Sequence, residues 1–270
     1  MSEVEAKVAA HYGAVDLTGR ILAALAGTGM NVERFSADAL FTFDQMHGRQ
    51  LAATKEHVGR LGLSASKHVL DVGSGIGGPA RYMSFTFGCR VTGIDLTSEL
   101  VAAARELTAR CGLSERVDFQ VGNALAMPSA DATFDAVACQ YVAMNIFDKA
   151  GLLREISRVL KPGGRLVWSS AVAGQGEPRY PLPWAREPGL SFLIPPAVLR
   201  KLFDEGGWRI VEWSDETELF RTKVVPAHSP ASTEMRTLIS GDDFPARSRN
   251  FAASFENGSI GSLLVVAERP

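Results

Sequence analysis

One run constrains this chain more than any other: His68-Val-Leu-Asp-Val-Gly-Ser-Gly-Ile-Gly-Gly78, an apolar strand-like segment, a glycine-rich turn and the start of a helix. Gly73 and Gly75 permit a tight turn and let a ligand approach bare backbone, while the helix start at Gly77-Gly78 offers unpaired N–H groups. Downstream, short β-branched runs alternate with segments whose apolar residues recur at three and four. The spacing predicts strands over His68–Val72, Arg90–Asp95, Val117–Val121, Phe134–Cys139 and Arg165–Ser169, with helices over Gly78–Phe87, Ser98–Cys111 and Lys149–Leu160. Strand–helix alternation implies a parallel sheet, and strands this apolar on both faces imply helices covering both.

The rest of the chain frames that core. Residues 1–62 show helix signals over Glu3–His11, Leu17–Leu25 and Gln50–Leu61 and no strand signal, so they are expected to form a helical lid. Residues 63–171 make the expected cofactor-binding core. Residues 172–196 are too rich in Pro and Gly for regular structure and read as an excursion over the sheet. Residues 197–270 complete the sheet, with a helix at Pro196–Glu205, strands at Trp208–Trp213 and Gly261–Glu268, and a helical stretch over Ala231–Asn257. The expected fold is one α/β domain: a doubly wound, Rossmann-like, mostly parallel seven-stranded sheet.

Composition narrows the partners. With 270 residues, 28 Lys plus Arg against 30 Asp plus Glu and a net charge of −2, the chain lacks the basic surface that nucleic acid or an anionic membrane demands. Cys89, Cys111 and Cys139 stand far apart with no metal-ligand spacing, so no metal site or disulfide framework is expected. No export signal or span of about 18 apolar residues occurs, and the expected location is the cytoplasm. The expected partner is a small-molecule substrate; the protein itself is expected as a monomer or homodimer.

The glycine turn admits two readings. Gly73, Gly75 and Gly78 satisfy the dinucleotide spacing, with Asp95 at the end of the second strand, so an NAD-dependent oxidoreductase is one. Asp71, two residues before the glycines, favours a cationic ligand over a pyrophosphate. Together with the turn Leu160-Lys-Pro-Gly-Gly164, in which Lys161 and Pro162 are read as turn-makers only, it resembles the class I S-adenosylmethionine-dependent methyltransferases. The resemblance runs from His68 to Ser170. It implies S-adenosyl-L-methionine as cofactor, with Asp71, Gly73, Ser74, Gly75 and Gly77 facing its methionine part. Asp95 and Leu96 match the ribose-binding segment and Gly122-Asn123-Ala124 the adenine-binding one, where Asn replaces the usual Asp and still offers an acceptor oxygen. Gln140 emerges at the carboxyl end of the fourth strand, where ligands bind in open α/β sheets, and is a further candidate cofactor contact.

A narrower resemblance, carried by Gly78-Pro-Ala-Arg-Tyr82, Phe87-Gly-Cys-Arg-Val-Thr-Gly-Ile-Asp-Leu-Thr97 and Ala143-Met-Asn-Ile-Phe-Asp-Lys149, is to the sarcosine and dimethylglycine N-methyltransferase group. The related phosphoethanolamine enzymes place an Asp and a His where this chain has Gln140 and Met144, so their amine-activating device does not carry over. Phe43–Thr54 resembles the family's lid, which puts Met46 and His47 beside the cofactor and Tyr12 above it; His47 and Tyr12 are the candidate catalytic bases, with His11 as a second choice. Met144, Asn145, Tyr180, Trp184 and Arg186 are the candidate substrate contacts, and Arg179 or Arg186 is a possible carboxylate clamp. The reading is methyl transfer to a small molecule, either the amine of a glycine-derived amino acid or a prenyl, quinone or polyketide-like carbon or oxygen. A binding module that keeps the fold without catalysis is the third class.

Overall fold

Seven strands build a single sheet: β1 His68–Val72, β2 Arg90–Asp95, β3 Val117–Val121, β4 Phe134–Gln140, β5 Leu160–Ala173, β6 Arg209–Asp215 and β7 Ile260–Glu268. Their order is β3-β2-β1-β4-β5-β7-β6. β1 to β5 pair with one another in parallel, and β7 is antiparallel to β5 and β6. The computed structural model describes residues 3–13, 16–223 and 230–269; His228, read from sequence as a loop histidine, lies outside them. The chain winds outward from β1 to β3 and returns to β4 beside β1, so the crevice where ligands enter open α/β sheets lies above the carboxyl ends of β1 and β4.

Alternation along β1 divides the core. Leu70 and Val72 pack on one face with Trp168, Phe203 and Leu152, while Val69 packs on the other with Ala80, Met83 and Val101. The predicted strands appear with one marked difference. β5 begins at Leu160, five residues before the expected start, because Lys161 to Gly164 fill an irregularity against β4, whose register steps from Phe134↔Leu160 to Ala136↔Arg165. Lys161 also pairs with Asp135 at 2.9 Å, so it does more than make a turn.

Two departures change who builds the roof. The expected helix over Ala231–Asn257 breaks at Gly241, whose φ is +100°, into Pro230–Ser240 and Phe244–Glu256. Those helices do not merely complete the sheet: Met235 and Ile239 pack with Leu17, Ile21 and Leu25 of the N-terminal helix Leu17–Gly27 and with Ile76 of the glycine turn. Arg247, fully buried, donates to the Pro183 carbonyl at 2.9 Å and to His11 Nε2 at 2.8 Å. His11 therefore serves as a latch between lid, excursion and C-terminal helix.

The lid is anchored below by Arg81 on the helix Gly78–Phe87. Its guanidinium donates to Asp44 Oδ2 at 2.9 Å, to the Ile76 carbonyl at 2.7 Å and to Thr108 Oγ1 at 3.1 Å, and both side chains of the ion pair are buried, at 0% and 2% exposure. Removing one partner leaves an uncompensated buried charge. Asp44→Ala is expected to destabilise the protein by about 3–5 kcal/mol, read as a fall in the urea midpoint, with Asp44→Asn losing less because its amide oxygen still accepts a hydrogen bond.

Candidate functional site

The carboxyl ends of β1, β2 and β4 open into a cavity of about 710 Å³ that runs under the lid and the C-terminal helices. The three turn glycines divide the work. Gly73 has φ +66° and presses against Val142; Gly77 has φ +84° and lies over Phe119 and Arg81. A side chain at either would collide with protein. Gly75, at φ +52°, meets nothing within 4 Å, so its bare face looks into open space. Gly73, Ser74 and Gly75 line the cavity, whereas Gly77 packs the turn onto the helix behind it.

Two carboxylates face the cavity from the strand ends. Asp95 accepts the Gly75 N–H on Oδ2 and the Thr97 N–H on Oδ1, both at 2.9 Å, which fixes its plane and leaves further lone pairs on each oxygen. Asp71 Oδ2 is buried without a hydrogen-bond partner. Burial, reinforced by the neighbouring Asp95 charge, pushes the Asp71 carboxyl up to about 8; burial raises Asp95 as well. An orphaned carboxyl beside bare glycine backbone, with an oriented second carboxylate one strand away, fits a ligand carrying an ammonium group and a vicinal diol. S-adenosyl-L-methionine has both.

In the segment after β3, Asn123 Oδ1 accepts the Leu125 N–H at 2.9 Å and Nδ2 donates to Glu5 Oε1 at 2.7 Å. The side chain thus stands on the wall, and the lid residue Glu5, which sequence reasoning did not single out, reaches down to it. Leu96 and Ala124 flank that end of the cavity, and Met46 and Gln140 stand at the other.

His47 and Tyr12 both line the cavity, yet neither is poised to take a proton. His47 is held through Nδ1 to the Gly48 carbonyl and through Nε2 to Thr54 Oγ1, each at 2.9 Å. Burial pushes its pKa down to about 3, against the opposing pull of the Gly48 carbonyl. Burial pushes the Tyr12 phenol up to about 12, with Asn145 beside its hydroxyl. The geometry therefore makes them neutral wall groups, where sequence had suggested bases.

Among the substrate candidates, Met144, Asn145 and Trp184 line the cavity, with Trp184 held by Nε1 donating to Ser191 Oγ at 3.0 Å. Tyr180 packs behind the wall in the cluster around Leu182 and Phe255. Arg186 turns outward to a two-point pair with Asp243, at 2.6 and 3.2 Å, and Arg179 is exposed away from the cavity. Neither arginine can clamp a carboxylate in the cavity from these positions.

Sequence reasoning missed the aromatic half of the wall. Tyr141 directly follows β4 with φ +56°, a left-handed conformation that a non-glycine residue adopts at a cost. Its ring stacks on His47 at 5.2 Å and tilts against Phe220 at 5.8 Å, and Phe220 stacks on Phe255 at 5.0 Å. Phe244, Phe251 and Phe255 share a helical spacing that was visible but reads equally as core; the backbone strain at Tyr141 left no mark in the sequence.

Comparison with known proteins agrees with this geometry. Residues 70–168 match the methyltransferase domain family. An O-methyltransferase, resE, of Aspergillus sclerotiorum is 34% identical over 166 residues, 60% of this chain and 62% of that one. The glycine/sarcosine/dimethylglycine N-methyltransferase of Actinopolyspora halophila is 30% identical over 210 residues, 75% of this chain and 37% of that one. The chain thus spans less than two thirds of the length of either relative. The structure of geranyl diphosphate C-methyltransferase from Streptomyces coelicolor A3(2), with Mg²⁺, geranyl diphosphate and S-adenosyl-L-homocysteine, superposes with a TM-score of 0.71 at 17% identity, covering 100% of this chain and 98% of that one, and shares the fold. Residues 70–168 are therefore a methyltransferase domain, and the chain has the class I, S-adenosylmethionine-dependent methyltransferase fold. Among the described residues no helix is long and apolar enough to cross a membrane.

The raised Asp71 carboxyl has a consequence for stability. Below its ordinary value of 3.8 the group is protonated folded or unfolded; between there and about 8 only the folded protein holds the proton. The group's contribution to stability is therefore lost progressively as pH climbs from about 4 to about 8 and is flat above. Thermal melts of the ligand-free protein against Asp71→Asn should diverge over that window, with the wild type losing ground as pH rises.

Proposed function

We propose that this protein transfers the methyl group of S-adenosyl-L-methionine to a small molecule with an apolar body, at carbon or oxygen. The observation that carries this is the continuity of the cavity: one space joins the Asp71, Gly75 and Asp95 end to a wall of Trp184, Phe220, Phe251 and Phe255. A wall of this kind recognises a prenyl, quinone or polyketide-like body by burying its surface, at roughly 25 cal/mol per Å². The alternative acceptor, a glycine-derived amino acid, has the Actinopolyspora relative's name in its support, but Arg186, the clamp read from the sequence, pairs outward with Asp243, and the arginines that line the cavity are Arg236 and Arg249.

In this reading Asp71 takes the cofactor's ammonium, Asp95 its ribose hydroxyls, and the Asn123 and Ala124 segment its adenine. Met46, Leu96 and Gly73 to Gly75 shape the space between them. When bound, the cofactor supplies an electrophilic methyl on a sulfonium. The chain's own residues hold the acceptor in line with that methyl and keep water out, and such positioning alone lowers a bimolecular barrier by about 7–11 kcal/mol. The aromatic faces of Tyr141 and Phe220 suit the positive charge that disperses during transfer. The protein acts on a small molecule in the cytoplasm, with neither nucleic acid nor membrane as substrate.

The decisive experiment supplies S-adenosylmethionine labelled in its methyl group together with trimethylhydroquinone, geranyl diphosphate, sarcosine and phosphoethanolamine, each in turn. Label is expected in the hydroquinone or the prenyl compound and absent from sarcosine and phosphoethanolamine; Phe255→Ala should raise the acceptor KM about tenfold or more while S-adenosylhomocysteine affinity holds. Labelled sarcosine would overturn the acceptor class. Calorimetry showing NADH binding without S-adenosylhomocysteine binding would overturn the whole reading in favour of an oxidoreductase.

A further inference from the structure

Behind the cavity wall lies a charged cluster that the reaction itself does not use. His57, with no exposed surface, sits on the helix Gln50–Val58. Its Nδ1 meets Gln140 Oε1 at 3.2 Å and its Nε2 meets Glu216 Oε2 at 3.1 Å. As oriented, the amide oxygen and the carboxylate oxygen only accept, so both ring nitrogens donate, the hydrogen-bond pattern of an imidazolium; a turned amide would instead donate to a neutral ring. The surrounding charges balance only then. Arg49 pairs with Glu216 at 3.4 Å and also with Glu56, so two cations meet two anions; Arg60 faces Glu216 from further off, and the neutral rings of His47 and Tyr141 cover the remaining side. Burial would raise Glu216, but its hydrogen bond to His57 and the His57 and Arg49 charges outweigh that and hold it below the usual carboxylate range.

A doubly donating ring and an inward Gln140 Oε1 require each other. With Oε1 turned back to His57, Nε2 is left buried and without a partner on a residue that lines the cavity and is 7% exposed. Were His57 neutral, the amide could turn over and offer an acceptor instead. Gln140 ends β4, one residue beyond the Val72↔Cys139 pair, which sets it level with Gly73 at the methionine end of the site.

We propose that Gln140 is a hydrogen-bond donor to an oxygen of a bound molecule, and that the His57–Glu216 pair is the positioning device that keeps its amide donor-outward. The inference rests on the cofactor reading of the site. Two oxygens suit the donor, the carboxylate of the cofactor's methionine end and an oxygen of the methyl acceptor, and the choice decides whether Gln140 grips the cofactor or selects the acceptor.

The test has two arms. Nitrogen NMR of protein labelled in its histidine rings, with His57 assigned by its loss in His57→Gln, is expected to show both His57 ring nitrogens protonated at pH 7, and a single protonated nitrogen in Glu216→Gln. A singly protonated His57 in the wild type at pH 7 overturns the proposal. In the second arm, calorimetry compares Gln140→Glu with wild type for S-adenosylhomocysteine, for 5′-methylthioadenosine, which lacks the carboxylate, and for trimethylhydroquinone added to S-adenosylhomocysteine-loaded protein. A loss of tenfold or more confined to S-adenosylhomocysteine identifies the carboxylate. A loss confined to trimethylhydroquinone identifies the acceptor. Equal losses for both nucleosides, or no change for any of the three, overturn it. Wild-type protein that binds S-adenosylhomocysteine but not trimethylhydroquinone counts against the proposed acceptor class alone, and the nucleoside comparison then decides the role of Gln140.

Discussion

One buried guanidinium ties the cover of this site to its floor. Arg81 rises from the helix that follows the glycine turn and meets, within hydrogen-bond distance, the turn itself at Ile76, the lid at Asp44 and the next helix at Thr108. The turn needs such a support. Its glycines adopt conformations that cost a flexible chain entropy, and Gly77 leaves room for nothing except the Phe119 ring and Arg81 itself. Glycine at 77 lets the arginine pass, and the arginine holds the glycine turn in place. The lid is fixed by the same bond, so the shape of the ligand end and the position of its cover are set together.

That arrangement allows two carboxyls to stand close together in a dry crevice. Asp95 is steadied by two backbone N–H groups, whereas the Asp71 oxygen that lacks a partner is held near-neutral by burial and by Asp95. A cation brought between them would reverse the balance, favouring the ionised form of Asp71 at neutral pH. The pairing is preorganised for a positive ligand in a way that a pyrophosphate could not exploit, which is the physical ground for preferring a sulfonium nucleoside over a dinucleotide at the same glycines.

The cofactor half was legible in the sequence because it is local. His68 to Gly78 announces strand, turn and helix within eleven residues, and Asp95, Asn123 and Gln140 fall at strand ends that periodicity locates. What escaped depends on long-range packing. Arg186 looked like a clamp until Asp243, just before the helix Phe244–Glu256, paired with it; His47 looked like a base until Thr54 and the Gly48 carbonyl took both its nitrogens. His57 has a partner, Glu216, that lies 159 residues away, and no spacing rule connects them. The C-terminal helices likewise read as scaffold, because phenylalanines at helical spacing serve a core as well as a cavity.

Tyr141 stands at the border between the polar and aromatic halves of the cavity. A left-handed backbone costs a residue with a Cβ about 1–2 kcal/mol, and glycine would escape that cost. A β4 that ended in glycine would fold more easily, yet it would lose the ring that lies between His47 and Phe220, at the border of the polar and aromatic halves of the cavity. The chain carries the strain and keeps the ring. Since the turn can be made without a side chain, the ring's value lies in what it presents: a flat, uncharged face between His47 and Phe220, backed by a second aromatic layer at Phe255.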